Sequence, residues 1–215
     1  MSNFKLNKRY ITLSSETRLN GLSIPIIGLT GGIASGKSSS SNYLMEKGFT
    51  VIDADKLIHK IYTENETIKF IRSINQSFIY NGKVDFKKLR EYFFGNKEAK
   101  VQIESFLYQR LPNAFNQALS SSAPSNIIFY DAPLLFEKKI NTKVDISLTI
   151  FCNEEIQSKR LIERDSITSK LAQEIISSQI SLSIKKERSD FVINNNSTIK
   201  RLHEEIDSFI AQIAE

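Results

Sequence analysis

The residues Gly31-Gly32-Ile33-Ala34-Ser35-Gly36-Lys37-Ser38 carry the clearest chemistry in the chain. Gly, any four residues, then Gly-Lys-Ser is the pattern of a phosphate-binding loop. Backbone N–H groups must converge on a phosphate, so side chains have to stay clear. Gly31, Gly32 and Gly36 are expected to supply the unusual φ values and the close approach. Lys37 is expected to reach into a solvated site and set a point charge on the β- and γ-phosphates. The Ser38 hydroxyl is expected to bind Mg²⁺. A helix starting here would aim its positive end at the same anion. The plain alternative is a Gly/Ser-rich turn with no ligand. Against it stand an apolar strand reading just before, over residues 24–29, and a helix reading just after, over 37–47.

Two acidic signals stand at the ends of apolar runs. Phe49-Thr50-Val51-Ile52 reads as a strand and runs into Asp53-Ala54-Asp55. In an open parallel sheet, ligands bind beyond the carboxyl ends of the strands, so this acidic pair and the loop are expected to face one crevice. Capping the helix read over 56–62 is the competing role for either aspartate. Ile127-Ile128-Phe129-Tyr130-Asp131 has the shape of a buried strand that delivers a carboxylate beside Mg²⁺. Farther on, Arg160 and Arg164 are four residues apart. On a helix they share one face and suit a phosphate clamp, with solvated surface arginines as the alternative. His59 and His203 lack metal-ligand partners at useful spacing.

The elements that must hold these residues follow from periodicity. Apolar residues recur at helical spacing at Ile68, Ile71, Ile74 and Phe78. Asn81-Gly82 is a turn, and Asp85 reads as the cap of a helix over 86–94 that Gly95-Asn96 breaks. Another helix carries Val101, Ile103, Phe106, Leu107 and Leu111, and Pro112 marks a restart. No strand signal of comparable strength lies between residue 56 and about 121, so this is a helical insert whose aromatics read mainly as core. Residues 120–126, with Pro124, form a polar linker. A strand follows over 145–151, then an Asn153-capped helix with Gln157 and both arginines, and a Thr168-capped helix ending near residue 180. Lys185, Lys186 and Arg188 precede a strand over 191–193. A final helix capped by Ser197 carries Ile199, Leu202, Ile206, Phe209, Ile210 and Ile213. Five strands alternating with helices imply an α/β three-layer fold with a mainly parallel sheet.

The chain has 215 residues, 40% hydrophobic and 25% charged, which suits one domain with inserts. A single cysteine, Cys152, excludes an intrachain disulfide framework and fits the cytoplasm. It ends an apolar run and reads as buried or half-buried. No run is apolar and long enough to span a membrane. The first residues lack the apolar stretch of a secretory signal, and residues 1–22 read as an extension with freedom to be flexible. The net charge of +5 is a modest excess that a polyphosphate substrate explains as well as RNA does.

Taken together, Gly28-Leu29-Thr30 with the loop, Val51-Ile52-Asp53-Ala54-Asp55, and Asp131-Ala132-Pro133-Leu134-Leu135-Phe136-Glu137 resemble the dephospho-coenzyme A kinases. Gln157, Arg160 and Arg164 stand at that family's Gln-x-x-Arg-x-x-x-Arg spacing. Gln179, Lys185, Asp190, Val192-Ile193 and Asn195 fit its closing pattern, and Asn81-Gly82-Lys83-Val84-Asp85 its turn in the insert. The resemblance spans roughly residues 24–210. Tyr108-Gln109 replaces a His-Pro pair, Asp85-Phe86 an Asp-Arg pair, and Ser189 an alanine; the first two bear on how the insert holds its substrate.

The resemblance implies a P-loop kinase fold over 23–215, with a coenzyme-binding insert at about 56–123 and a lid at about 160–188. It implies transfer of the ATP γ-phosphoryl group to the ribose 3′-hydroxyl of dephospho-coenzyme A, with ATP and Mg²⁺ required and a monomer expected. It carries ATP binding to Gly31, Gly32, Ile33, Ala34, Ser35, Gly36, Lys37, Ser38, Ser39, Arg160 and Asn195, and Mg²⁺ to Ser38 and Asp131. It makes Asp55 the proton acceptor, with Asp53 as second choice, and brings Arg164 with Lys37 to the transferring group. Other readings are a P-loop kinase for a nucleotide or a shikimate-like acceptor, a nucleotide-controlled switch, or a basic RNA-binding module. No Asn-Lys-x-Asp motif supports a guanine-reading switch.

Overall fold

The computed structural model describes residues 4–123 and 125–215. Residues 1–3 of the expected extension, Pro124 of the expected linker and the side chain of Phe94 lie outside the described residues. In chain order the first elements are β1 (Ile26–Gly31), α1 (Lys37–Glu46), β2 (Thr50–Asp53), α2 (Ala54–Tyr62) and α3 (Asn65–Ile74). Then come β3 (Ile79–Tyr80), β4 (Lys83–Val84), α4 (Phe86–Gly95), α5 (Lys97–Ser120) and β5 (Ile128–Asp131). The last are β6 (Ile146–Phe151), α6 (Glu154–Asp165), α7 (Ser169–Ser177), α8 (Leu182–Arg188), β7 (Phe191–Asn194) and α9 (Ile199–Ile213). Two compact units result: Met1–Ile52 with Pro124–Glu215, and Asp53–Ala123.

The first unit is built on a five-stranded sheet in the order β2-β5-β1-β6-β7. The pairs β1–β5, β1–β6 and β6–β7 are parallel. All six residues of β1 are buried, as a strand covered on both faces of a parallel sheet must be. One face carries Ile27, Leu29, Phe129, Leu148, Ile150 and Ile193, packed on Leu44 of α1 and on Leu202, Ile206, Phe209 and Ile213 of α9. Those four α9 residues recur at helical spacing, and each contributes about 1.5–3 kcal/mol by burial. Successive strand residues alternate faces, and the opposite face receives Leu135 and Val144 against Gly28. The strand order reverses at β1, so the segment leaving its carboxyl end enters a crevice.

Residues 4–22 do not trail as a flexible extension. Leu6 is buried, and its bridge to Ala214 ties the N-terminal segment to the end of the chain. Phe4 meets Phe49 edge-on, and Tyr10 meets Phe191. Arg18 is 4% exposed and forms a bidentate pair with Asp145, Nε–Oδ2 2.7 Å and Nη2–Oδ1 2.9 Å. Its remaining N–H groups donate to the carbonyls of Leu22 (2.7 Å) and Leu13 (2.6 Å). Asp145 also accepts the N–H groups of Ile26 and Leu13. An amphipathic period would have revealed a helix here; two charged residues 127 positions apart give no such signal.

The second unit packs α2, α3, α4 and α5 around Leu57, Ile61, Ile71, Leu89, Ile103, Leu107 and Phe115. The aromatics divide. Phe78 and Phe115 are buried, whereas Tyr80, Phe86 and Tyr108 are exposed. Two local expectations change in this unit. β3 and β4 pair antiparallel across Asn81-Gly82, both at positive φ (47° and 74°), so the turn closes a hairpin. Two-residue strands are too short to show alternation. α5 runs unbroken through Pro112, because the buried Leu107, Ala114 and Phe115 on either side compensate one lost backbone bond.

In the first unit the Thr168-capped helix stops at Ser177 rather than near 180, and a separate α8, capped by Ser181, holds Lys185, Lys186 and Arg188. Seven residues carry too little periodicity to be read as a helix. Thr168 does cap α7, accepting from the Leu171 N–H. The cap of α9 is Thr198, which accepts from the Arg201 N–H, rather than Ser197. Asn153 occupies the first position before α6 without a side-chain capping bond.

Replacing Arg18 by Met leaves Asp145 buried without its cation. The expected cost is about 3–5 kcal/mol, read as a lower urea midpoint at unchanged slope. A change below about 1 kcal/mol would show that the N-terminal segment is not integral to the unit.

Candidate active site

Residues 31–38 leave β1 and wrap into the first turn of α1. The backbone turns at two positions of positive φ, Ala34 at 56° and Gly36 at 99°. Gly36 also has to be bare, since a Cβ there would meet Asn195 Nδ2 at 2.0 Å. Gly31 and Gly32 do not adopt the positive φ expected of them. Their role is close approach: a Cβ on Gly32 would meet Gln157 Nε2 at 2.7 Å, and one on Gly31 would meet Ser35 Oγ at 2.5 Å. The Ser35 hydroxyl is buried and has no hydrogen-bond partner among the described residues. A cradle at a helix start, with a spare buried donor, fits an anion.

The charged pair beneath the loop differs from expectation. Lys37 Nζ donates to Asp131 Oδ1, and Ser41 Oγ donates to Asp131 Oδ2 at 2.6 Å. The two side chains are 14% and 2% exposed, so Lys37 is held in a mostly buried pair rather than projecting into solvent. β5 delivers Asp131 next to Leu29 of β1, two residues before the loop begins. Ser41, one turn along α1, is a partner that sequence reasoning missed; the run of serines through α1 was its only signal.

The residues that would offer oxygens to Mg²⁺ are Ser38, in the first turn of α1, and Asp131. Among the described residues no group of three His, Cys, Asp or Glu side chains could hold a metal. Few hard oxygen ligands, completed by phosphate oxygens and water, are what Mg²⁺ uses, so these residues fit it.

Three carboxamides grip the loop from outside. Gln157 Nε2 donates to the Ile33 carbonyl (2.8 Å), and the Ile33 N–H donates to Gln179 Oε1 (3.1 Å). Asn195 Nδ2 donates to the Ser35 carbonyl (2.8 Å). Asn195 therefore touches the loop backbone. The Arg160 guanidinium donates to the carbonyls of Asn195 (3.0 Å) and Ser197 (3.3 Å). Carbonyls leaving a sheet edge need donors, and Arg160 supplies two. Arg164 pairs instead with its neighbour Asp165 (2.7 and 2.9 Å) and holds that carboxyl below the ordinary carboxylate range. The two arginines share a helix but not a partner.

Several further positions are settled. Cys152 is buried, as expected, and burial pushes its thiol up while Arg160 pulls it partly back. Lys185 is fully buried. Its Nζ donates to the Pro133 carbonyl (2.6 Å) and stands 2.9 Å from the Glu137 carboxylate. Asp190 accepts both the N–H and the hydroxyl of Ser147 (2.8 and 2.7 Å). His59 stacks on Phe86 and His203 on Tyr43. In the second unit Asp53 caps α2, accepting from the Lys56 N–H at 3.0 Å, and Asp55 lies in the first turn of that helix. The capping role thus falls to Asp53.

Lys37→Met leaves the Asp131 carboxylate with one partner. It should lower stability by about 2 kcal/mol, less than the roughly 3–5 kcal/mol for a wholly buried pair. Adding Asp131→Asn should restore most of the thermal midpoint. A single variant as stable as the parent would show that the pair does not load the loop.

The family profile for dephospho-CoA kinase matches residues 25–201. A dephospho-CoA kinase from Fusobacterium nucleatum is 41% identical over 194 residues, covering 89% of this chain and 100% of that protein. The crystal structure of TT1252 from Thermus thermophilus has a TM-score of 0.79 at 23% identity, over 89% of this chain and 99% of that one, a likeness of fold. The dephospho-CoA kinase from Campylobacter jejuni has a TM-score of 0.64 at 28% identity, over 88% and 96%. With a profile match over most of its length and a relative at 41% identity matched end to end, the chain belongs to the dephospho-CoA kinase family.

Proposed function

We propose that the reaction of this family is carried out here by residues 31–39, Lys37, Asp55 and Arg164, with Mg²⁺ held by Ser38 and Asp131. The reaction moves the γ-phosphoryl group of ATP to the ribose 3′-hydroxyl of dephospho-CoA and releases ADP and CoA. The observation that carries the assignment is the loop itself: a cradle with a spare buried donor at a helix start, with Lys37 beneath it on a buried carboxylate. The chain acts in this reading as a cytoplasmic monomer, with residues 56–123 as the coenzyme-binding insert and 160–188 as the lid.

ATP phosphates settle on the N–H groups of the loop. The negative charge draws Lys37 from Asp131 toward the β- and γ-oxygens, and the Asp131 oxygen it leaves becomes available to the cation. When bound, Mg²⁺ supplies positive charge that offsets the phosphate oxygens. Arg164, at the exposed end of α6, exchanges Asp165 for the transferring phosphoryl group, where negative charge must be met. Its present partner is a neighbouring surface carboxylate, and such a pair is cheap to break. Asp55 accepts the proton of the 3′-hydroxyl as the new O–P bond forms. The bond from the γ-phosphorus to the bridging oxygen breaks, and ADP leaves with that electron pair. Support for Asp55 comes from its place in the first turn of α2, just past the carboxyl end of β2.

Asp55→Asn keeps shape and hydrogen bonding but cannot take the proton. Turnover should fall by about 10²–10⁴-fold, with ADP affinity within about twofold of the parent. ADP release measured with dephospho-CoA, with AMP and with no acceptor reads both the rate and the acceptor. Normal turnover in Asp55→Asn with a dead Asp53→Asn would transfer the role to Asp53. Activity in both would remove the acidic pair from the chemistry.

A further inference from the structure

The N–H groups of the loop converge on a phosphate only if the backbone that carries them is held. At Ile33 both polar backbone groups are taken by side chains from different elements. The carbonyl accepts from Gln157 of α6, which is 4% exposed, and the N–H donates to Gln179 in the connection between α7 and α8. The amide orientations are dictated by the partners, because a carbonyl needs a donor and an N–H an acceptor. Gly32 makes the grip possible. A Cβ there would stand 2.7 Å from Gln157 Nε2 and 3.0 Å from Leu182 Cγ. The Ile33 side chain plays no part, since both bonds are to the main chain.

We propose that Gln157 and Gln179 are positioning residues for the phosphate loop, one by donating and the other by accepting, and that Gln179 ties the loop to the α7–α8 connection. This rests on the nucleotide site proposed above. Opposite polarity has a consequence that a merely packed pair of glutamines would not share. A carboxylate at position 179 still accepts the Ile33 N–H. A carboxylate at position 157 cannot donate and faces a carbonyl oxygen. Both changes add the same charge, and Gln157→Met, which removes the donor without adding charge, separates the hydrogen bond from the cost of burying that charge.

The test is calorimetric binding of ADP with Mg²⁺ to the full chain and to Gln157→Glu and Gln179→Glu, with thermal midpoints for each. Gln157→Glu should weaken ADP binding about tenfold more than Gln179→Glu does. KM for ATP should follow the loss, kcat at saturating ATP should fall less than KM rises, and KM for dephospho-CoA should stay unchanged. If Gln157→Glu does not fold, Gln157→Met, which lacks the donor but keeps the length, should still bind ADP more weakly than Gln179→Glu. Equal ADP affinity at the two positions overturns the proposal, as does unchanged affinity with lowered thermal midpoints only. Failure of the parent chain to bind ADP is a separate result that removes the nucleotide site as well.

Discussion

A carboxylate at the end of a buried parallel strand has to be compensated, and the compensation of Asp131 organises the loop end of the first unit. Asp131 is 2% exposed. One oxygen takes the Lys37 ammonium and the other the Ser41 hydroxyl. Both partners come from α1, so the charge locks the helix that follows the loop against the strand beside it. An unpaired charge at that depth would be costly. The pair therefore positions the loop and holds a lysine beneath it.

The backbone of the loop above this pair is also held by side chains from other elements. Gln157, Gln179 and Asn195 each bond a backbone group, and Arg160 in turn bonds the backbone around Asn195. Carboxamides suit this work because each can satisfy one donor or one acceptor without bringing a net charge near a polyphosphate. The glycines are part of the same device. Gly32 and Gly36 are bare where Gln157 and Asn195 press closest. Arg160 and Asn195, expected at the nucleotide, bond backbone carbonyls of the loop and of the segment after β7.

The same electrostatic logic recurs just before β6. Asp145 is satisfied by Arg18 and by the N–H groups of Ile26 and Leu13. Arg18 spends its other N–H groups on two carbonyls of its own segment. A bidentate pair with two further backbone bonds specifies one placement of residues 11–26. The N-terminal segment is thereby made part of the first unit's core, together with Phe4, Leu6 and Tyr10.

Much of this was legible in the amino-acid order. The loop pattern, the apolar runs of β1, β5 and β6, and the apolar stripe of α9 are local signals, because strand and helix periods are written in neighbouring residues. The α/β class, the five-stranded sheet and the family motifs follow from them. Tertiary structure alone decided which polar groups meet. Lys37 and Asp131 are 94 positions apart, Asn195 and Ser35 are 160, and Arg18 and Asp145 are 127. No period connects such pairs. The hairpin at Asn81-Gly82 and the short α8 escaped for the opposite reason: they hold too few residues for a period to emerge. What the sequence by itself determined was where each element lies and which residue types could do chemistry. What the fold decided was the partner of every buried charge and amide, because desolvation forces each to find one, wherever in the chain it lies.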